Sequence, residues 1–429
     1  MNNFPLISER LLQFIWQFQY FNKNELNTID GESLQIIYAG NYNTNQGPDF
    51  LEAKIKIGNT LWIGNIELHL NANDWFAHQH SGDKNFSNII LHVVWINDAV
   101  IKDINGKSLP TLELQPLVSN IMLRKYQQLM QSQGLIPCEK YLPVLSEIGW
   151  LSWKERLIVE RLQHKSIIVL QHVNQSGQNW EQVFWWLLAR NFGMKVNAEI
   201  FEEIARGISV TILAKHKNQI HQLEALLLGQ AGLLNESFQE DYPKLLLREY
   251  RFLQKKYQLI ASTIQPAFLR MRPANFPTVR LAQLAMLVNQ STHLFSKIKN
   301  TEDVLEVKKL LNVTANDYWH YHYRFNELTD YKPKQFGAQM IDNIIINTVV
   351  PVLFAYGIFA DEQQWKNKAI RWINEISPEI NSTTKAWKKF GVNNNSALES
   401  QALLELKKYY CDEKLCLNCA VGNKLLSKN

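Results

Sequence analysis

The sequence predicts an α+β protein: a mixed α/β module over residues 1–116, then a mainly helical region over 117–429 that ends in a cysteine cluster. Three observations predict it. Apolar residues alternate with a period of two in parts of 33–95 and recur with a period near 3.6 after Pro116. Turn dipeptides such as Gly58-Asn59 and Asn105-Gly106 punctuate the first part. Three of the four cysteines fall between positions 411 and 419.

In chain order, residues 5–20 carry Leu11, Leu12, Ile15 and Trp16 at helical spacing, with Ser8 as N-cap. Strands are predicted at 33–38, 50–57 and 60–70. In the second, Ala53, Ile55 and Ile57 share one face and Glu52, Lys54 and Lys56 the other, and Gly58-Asn59 joins it to the third as a hairpin. A polar, histidine-rich connection covers 71–87. The apolar run NIILHVVW at 88–95 is a further strand, and Thr111 to Leu114 a short one. Helices are then predicted at 117–133, 145–175, 180–192, 197–208, 219–234, 243–262, 278–296, 302–311, 339–357, 362–376 and 396–410. No period repeats, which argues against a solenoid.

An apolar fraction of 46% with 20% charged residues is globular composition and excludes a disordered chain. The thirteen tryptophans are read as core residues rather than stacking platforms. A net charge of +5 and a pI near 8.8 permit a polyanionic partner without demanding one, since no basic run exceeds short pairs such as Lys388-Lys389. The start, MNNFPLISERLLQFIW, has no basic segment followed by an apolar one, so a cytoplasmic protein is expected. The most apolar stretch, 344–360, contains Asn347, Thr348 and Pro351 and is read as a buried helix rather than a membrane span.

The segment GPDFLEAKIKIGNTLWIGNIELHL carries the candidate chemistry. Asp49 opens one strand. Glu67 and His69 alternate onto one face of the next, together with Asn65. A hairpin brings Asp49 towards Glu67, and two converging carboxylates suit Mg²⁺ or Mn²⁺, which take hard oxygen ligands and leave room for water and phosphate. A second cluster follows: His78, His80 and Asp83 have chelating spacing for a transition metal, and Asp74 and His92 lie nearby. His92 sits inside an apolar strand, where a hydrogen-bonded core histidine is the usual case.

This arrangement resembles the PD-(D/E)xK nuclease superfamily over about residues 5–100. Its core is a helix, a three-stranded meander, a helix and a further strand, with Pro-Asp on the second strand and Glu-x-Lys on the third. Pro48-Asp49 and Glu67-Leu68-His69 stand at those places. The resemblance implies metal-dependent hydrolysis of DNA or RNA by Asp49, Glu67 and His69, with Glu9 matching an acid that some members carry on the first helix. His69 stands where the family has lysine. That departure raises the alternative of a non-catalytic nucleic-acid-binding or protein-interaction module on a degenerate scaffold.

Near the end, Cys411-x4-Cys416-x2-Cys419 suits thiolate ligation, with Cys138 the remaining cysteine and a candidate fourth ligand. The spacing fits zinc and also the first three cysteines of a plant-type iron–sulfur cluster. Some nucleases of the resembled superfamily have a similar one-plus-three iron–sulfur staple around the nuclease core. Arg270, Arg272 and Arg280 flank Pro273-Ala274-Asn275 and are candidates for a phosphate grip on nucleic acid. Taken whole, through GPDF, IELH, HQHSGD, LHVVW, MRPANFP and CLNC-x-x-G, the chain resembles an uncharacterised bacterial family of hypothetical proteins.

Overall fold

A computed structural model describes residues 7–78, 83–102, 106–235, 237–269 and 271–427. The chain forms two compact units. The first gathers residues 1–151, 390–392 and 406–429; the second comprises 152–389 and 393–405. The units part near Leu151, and the cysteine-bearing C-terminal segment belongs with the sheet.

The first unit begins with helix α1, Glu9–Gln17, capped by the Ser8 hydroxyl, which accepts from the Leu11 amide at 3.2 Å. Leu11, Leu12, Ile15 and Trp16 are fully buried, as their spacing requires. Six strands follow: β1 Leu34–Tyr38, β2 Asn41–Tyr42, β3 Phe50–Ile57, β4 Thr60–Asn71, β5 Ile89–Ile96 and β6 Thr111–Glu113. They form one sheet in the order β1-β3-β4-β5-β6, with β2 paired to β3. The β1-β3-β4 part is an antiparallel meander, whereas β5 and β6 join it in parallel. A parallel pair needs a crossover, and the segment holding α2, Asp74–Ala77, supplies it. β4 changes character along its length. Its first residues are largely exposed; from Ile66 to His69 every residue is buried. β5 lies beside that inner half, and its near-continuous apolar run is what a strand covered on both faces requires.

β3 does not alternate cleanly. Phe50 and Ala53 are both buried, the register against β4 shifts between them, and Glu52 has φ +58°. This is a bulge, which bends a strand and re-aims the residues at its end. It lies three residues beyond Asp49.

The second unit is helical. Helices at Glu147–Gln175, Trp180–Phe192, Gln363–Glu375 and Val304–Leu311 fall where periodicity places them. The helix predicted over 278–296 is two, Pro277–Gln290 and Leu294–Asn300, broken where Ser291 is extended and His293 left-handed. The run Ser291-Thr292 offers hydroxyls that compete for backbone partners, and the 3.6-residue pattern does not register that competition. The helix predicted at 396–410 ends at Glu405 and continues as a π turn through Cys411. Helices at Val210–Lys215 and Ser382–Lys389 are additional to the expected set, as is Ala420–Ser427 in the first unit. Among the described residues one helical stretch, Ala338–Phe359, is long and apolar enough to cross a membrane; 72% of its most apolar window is buried inside the protein. Asn347 there donates to the Asn343 carbonyl at 3.1 Å and accepts from Lys165 at 2.9 Å. Ten of the thirteen tryptophans are buried and the other three half-buried, so they serve the cores.

Glu224, fully buried in the second unit, accepts from Tyr242 Oη (2.8 Å) and Trp319 Nε1 (3.0 Å) on one oxygen, while the other has no partner. Burial pushes its carboxyl up to about 7. A raised folded-state pKa gives stability that is whole below about pH 4.5 and fades as pH climbs through about 7. Urea titrations should therefore lose on the order of 3 kcal/mol between pH 5 and 8 from this group. Glu224→Gln should flatten that slope. An equal slope in the variant would assign the effect elsewhere.

Candidate functional site

The inner half of β4 and the mouth of β3 build the site. Phe50 pairs with Ile66 across the antiparallel ladder, which sets Asp49 beside Glu67. The Asp49 amide donates to Glu67 Oε2 at 3.1 Å, and the Leu68 amide donates to Asp49 Oδ2 at 3.1 Å. The two acids are thus clamped to each other's backbones. Gln13, one turn into α1, donates to Asp49 Oδ1 at 2.7 Å. Two acids taken out of water so close together resist ionisation. Burial, and after it the charges of its acidic neighbours, push Glu67 up to about 9, with Asp49 the larger of them and Glu9 the lesser. Burial also raises Asp49, to about 6, against the easing effect of the Leu68 amide and Gln13. Glu9 thus acts on both acids through its charge, from the first turn of α1.

Behind the acids lies a row of three imidazoles. His69 Nδ1 is 2.9 Å from His92 Nε2, and His69 Nε2 is 3.1 Å from His78 Nδ1. Glu67 Oε1 is 3.7 Å from His69 Nε2. Each contact between ring nitrogens needs one proton between them, so protonation at one end of the row sets the tautomer at the other. His92 is paired with Glu67 by the parallel β4–β5 register and is wholly buried. Trp75 meets it edge-on at 5.3 Å and His69 at 6.2 Å. His78 is exposed, at the outer end. His69, expected to meet the attacking water, is instead the buried middle of the row.

Gln13 is the residue that sequence reasoning left out of the site, and His92 was weighed only as a neighbour of the second cluster. Alternation along β5 gave His92 a face but not a neighbour. Its partner became visible only with the parallel register. Nothing in the pattern of α1 marked Gln13.

The other candidates distribute as follows. His80 and Arg270 lie outside the described residues. Asp83 accepts from the Asn85 amide at 2.8 Å and caps a short turn. Arg272 is exposed, while Arg280 is buried in the second unit. Cys138, Cys411, Cys416 and Cys419 are all buried, reduced and in the first unit. They are electrical neighbours: after burial, Cys419 and Cys416 push Cys138 up to about 12, and Cys419, Cys138 and Cys416 push Cys411 up. Burial pushes Cys419 up to about 11, against the easing effect of the Gly422 and Val421 amides that hydrogen-bond its sulfur. The segment packs on the helix Asn120–Gln131, where Lys125 donates to the Leu425 carbonyl at 3.5 Å, and it meets the start of the chain through Arg10, which donates to Asn418 at 2.8 Å, and Tyr20, which donates to Asn423 at 2.6 Å. Among the described residues, no three histidine, cysteine or acidic side chains already close on a single point as a metal cage.

No curated protein and no solved structure matches the chain. Residues 9–382, which take in α1, the whole sheet and most of the helical unit, match a family described as "Protein of unknown function (DUF2851)", and the chain belongs to that family.

Proposed function

We propose that the first unit is a metal-dependent phosphodiesterase of the PD-(D/E)xK kind, acting on DNA or RNA. The observation that carries this reading is the Asp49–Glu67 pair, clamped at the mouth of a meander whose last strand continues in parallel to β5. The element order of helix, meander, short helix and parallel strand supports it, as does the place of the cysteine segment in the same unit as the sheet. The absence of a ready three-ligand cage among the described residues is compatible with Mg²⁺, which binds through one or two carboxylates and keeps water and substrate oxygens in its other positions. The donor set fits: both carboxylates resist ionisation where they stand, and a cation would relieve that.

Asp49 and Glu67 would hold the ion. A bound Mg²⁺ or Mn²⁺ would neutralise charge on the scissile phosphate and make its water more acidic. Gln13 and the Leu68 amide fix Asp49, so its free lone pairs keep one direction. The exposed His78 would serve as the base toward an attacking water, with His69 and His92 behind it setting its tautomer. This arrangement gives the site a base without the family's lysine.

The test is hydrolysis of single- and double-stranded DNA and RNA with Mg²⁺ or Mn²⁺, comparing the wild type with Asp49→Ala. Loss of metal-dependent cleavage in the variant supports the reading. Salt-sensitive binding without turnover in the wild type would instead favour the non-catalytic module.

The cysteines support a second metal centre in this reading. Four buried thiols in mutual contact electrically, two amides aimed at one sulfur, and no disulfide form the donor chemistry of a zinc or iron–sulfur staple. Purified protein should carry zinc, or iron with sulfide, which Cys416→Ser loses. Equal metal content in both proteins would remove the staple.

A further inference from the structure

The helical unit contains a cavity of about 690 Å³ whose walls carry five cations and, among the described residues, no acid: Lys195, Arg272, Arg280, Lys332 and Lys334. Three of them, Lys195, Arg272 and Lys332, are exposed at the rim. The other two are not. Arg280 is 7% exposed and Lys334 4%. A buried cation ordinarily has a carboxylate partner, because leaving water without one is costly. These two have none among the described residues. Arg280 donates to the neutral amide oxygens of Gln283, at 2.9 Å, and Asn275, and its Nε is buried with no partner. Lys334 donates only to the carbonyls of Lys332 (3.0 Å) and His320 (3.3 Å) and stands 3.8 Å over the Tyr323 ring. Burial lowers both groups, Arg280 to about 10, and Lys332 depresses Lys334 further.

A cavity that concentrates positive charge and leaves it uncompensated is built for an anion. We propose that it binds the phosphate group of a small phosphorylated molecule, a phosphate monoester, with Arg280 and Lys334 at its floor and Arg272 and Lys332 at its mouth. The number of charges favours a dianionic phosphate over a single carboxylate, and a guanidinium fork matches phosphate oxygens. The depth favours a small ligand over a nucleic-acid strand. A phosphodiester rail meets exposed side chains, whereas here two of the five cations can be reached only by a group that enters. The volume lies in the range of small-molecule sites. The inference does not rest on the nuclease reading, since every residue it uses lies in the other unit.

The test is calorimetry and thermal denaturation of the full chain with inorganic phosphate and with adenosine monophosphate. One equivalent should bind and raise the melting temperature. The double variant Arg272→Ala/Lys332→Ala, both exposed positions, should weaken binding about tenfold or more. Lys334→Met should lose measurable binding, with a cooperative melt of the variant without ligand showing that it still folds although the His320 and Lys332 carbonyls lose a donor. Absence of binding by either probe at millimolar concentration overturns the proposal, as does unchanged affinity in both variants. So does an oligonucleotide without terminal phosphate that displaces the monophosphate more effectively than phosphate itself, because the partner would then be a nucleic-acid strand.

Discussion

Glu67→Gln should abolish metal-dependent phosphodiester cleavage, by about a thousandfold or more, while leaving the protein folded. The rate loss follows from removing one of two acids that would hold the ion, whose charge stabilisation is worth several kcal/mol, and each 1.4 kcal/mol is about tenfold. The stability expectation follows from the site itself. Glu67 is 6% exposed, and burial together with the acid beside it opposes its charge. Glutamine is nearly the same shape, keeps an oxygen to accept the Asp49 amide, and carries no charge. Thermal melting without added metal should therefore show no loss, and a cleavage assay on the same samples should show no product. A variant that cleaves at the wild-type rate would end the assignment of Glu67. A variant that melts many degrees lower would show that Glu67 is there for the fold. His92→Phe gives the complementary contrast, since it keeps bulk beside Trp75 and cuts the row behind His69.

What the sequence disclosed, and what it withheld, divides along a physical line. Periodicity is local, and it placed β3 and β4 to within a residue because each strand's pattern depends on its own faces. The Asp49–Glu67 contact was legible for the same reason. A two-residue turn fixes hairpin register, which brings Asp49 to the level of Glu67 and Leu68, and the bulge between Phe50 and Ala53 then shifts the register by one residue and sets Asp49 against Glu67. The His92–His69 contact depends on a parallel register set by a crossover, about which alternation is silent. The bulge at Glu52 was invisible as well: the charged residues at 52, 54 and 56 read as one solvent face, yet the first of them takes a left-handed conformation that a sequence pattern does not mark. The placement of the C-terminal segment was the largest omission. It rests on packing against the helix Asn120–Gln131 and on polar contacts between residues three to four hundred positions apart, Lys125 with the Leu425 carbonyl, Arg10 with Asn418 and Tyr20 with Asn423. The cysteines pointed to Cys138 as the part of the chain they join, and it does lie beside them, but they gave no sign of the contacts with Arg10 and Tyr20. The basic cavity shows a related gap. Arg280 was legible as one of three arginines around a proline turn, but Lys334 lies more than fifty positions away and its burial could not be read from an exposed-looking Lys-Pro-Lys sequence.

Gly422→Ala should open the C-terminal turn. A Cβ at this position would stand 2.0 Å from the Cys416 carbonyl oxygen, 2.8 Å from its carbon and 3.1 Å from its Cα. All three are backbone atoms, so no rotamer change relieves the overlap, and the chain itself must move. The turn it would disturb holds the Cys419 sulfur under the amides of Val421 and Gly422, and Cys419 accepts the Asn423 amide at 2.8 Å. Asn423 in turn holds Tyr20. Displacing the turn therefore loosens the cysteine cluster and the seat of the terminal helix Ala420–Ser427 together. Urea unfolding should register a loss of about 3 kcal/mol, as for a severe overpacking change. The four thiols, all buried in the wild type, should react with an aromatic disulfide reagent many times faster in the variant under native conditions. A lone alanine elsewhere in a helix would do neither, so the pairing of the two readouts identifies the cause. If the thiols stay protected and the unfolding midpoint does not move, the close approach of residues 416 and 422 is not a feature of the folded protein, and the staple proposed for these cysteines loses its geometry.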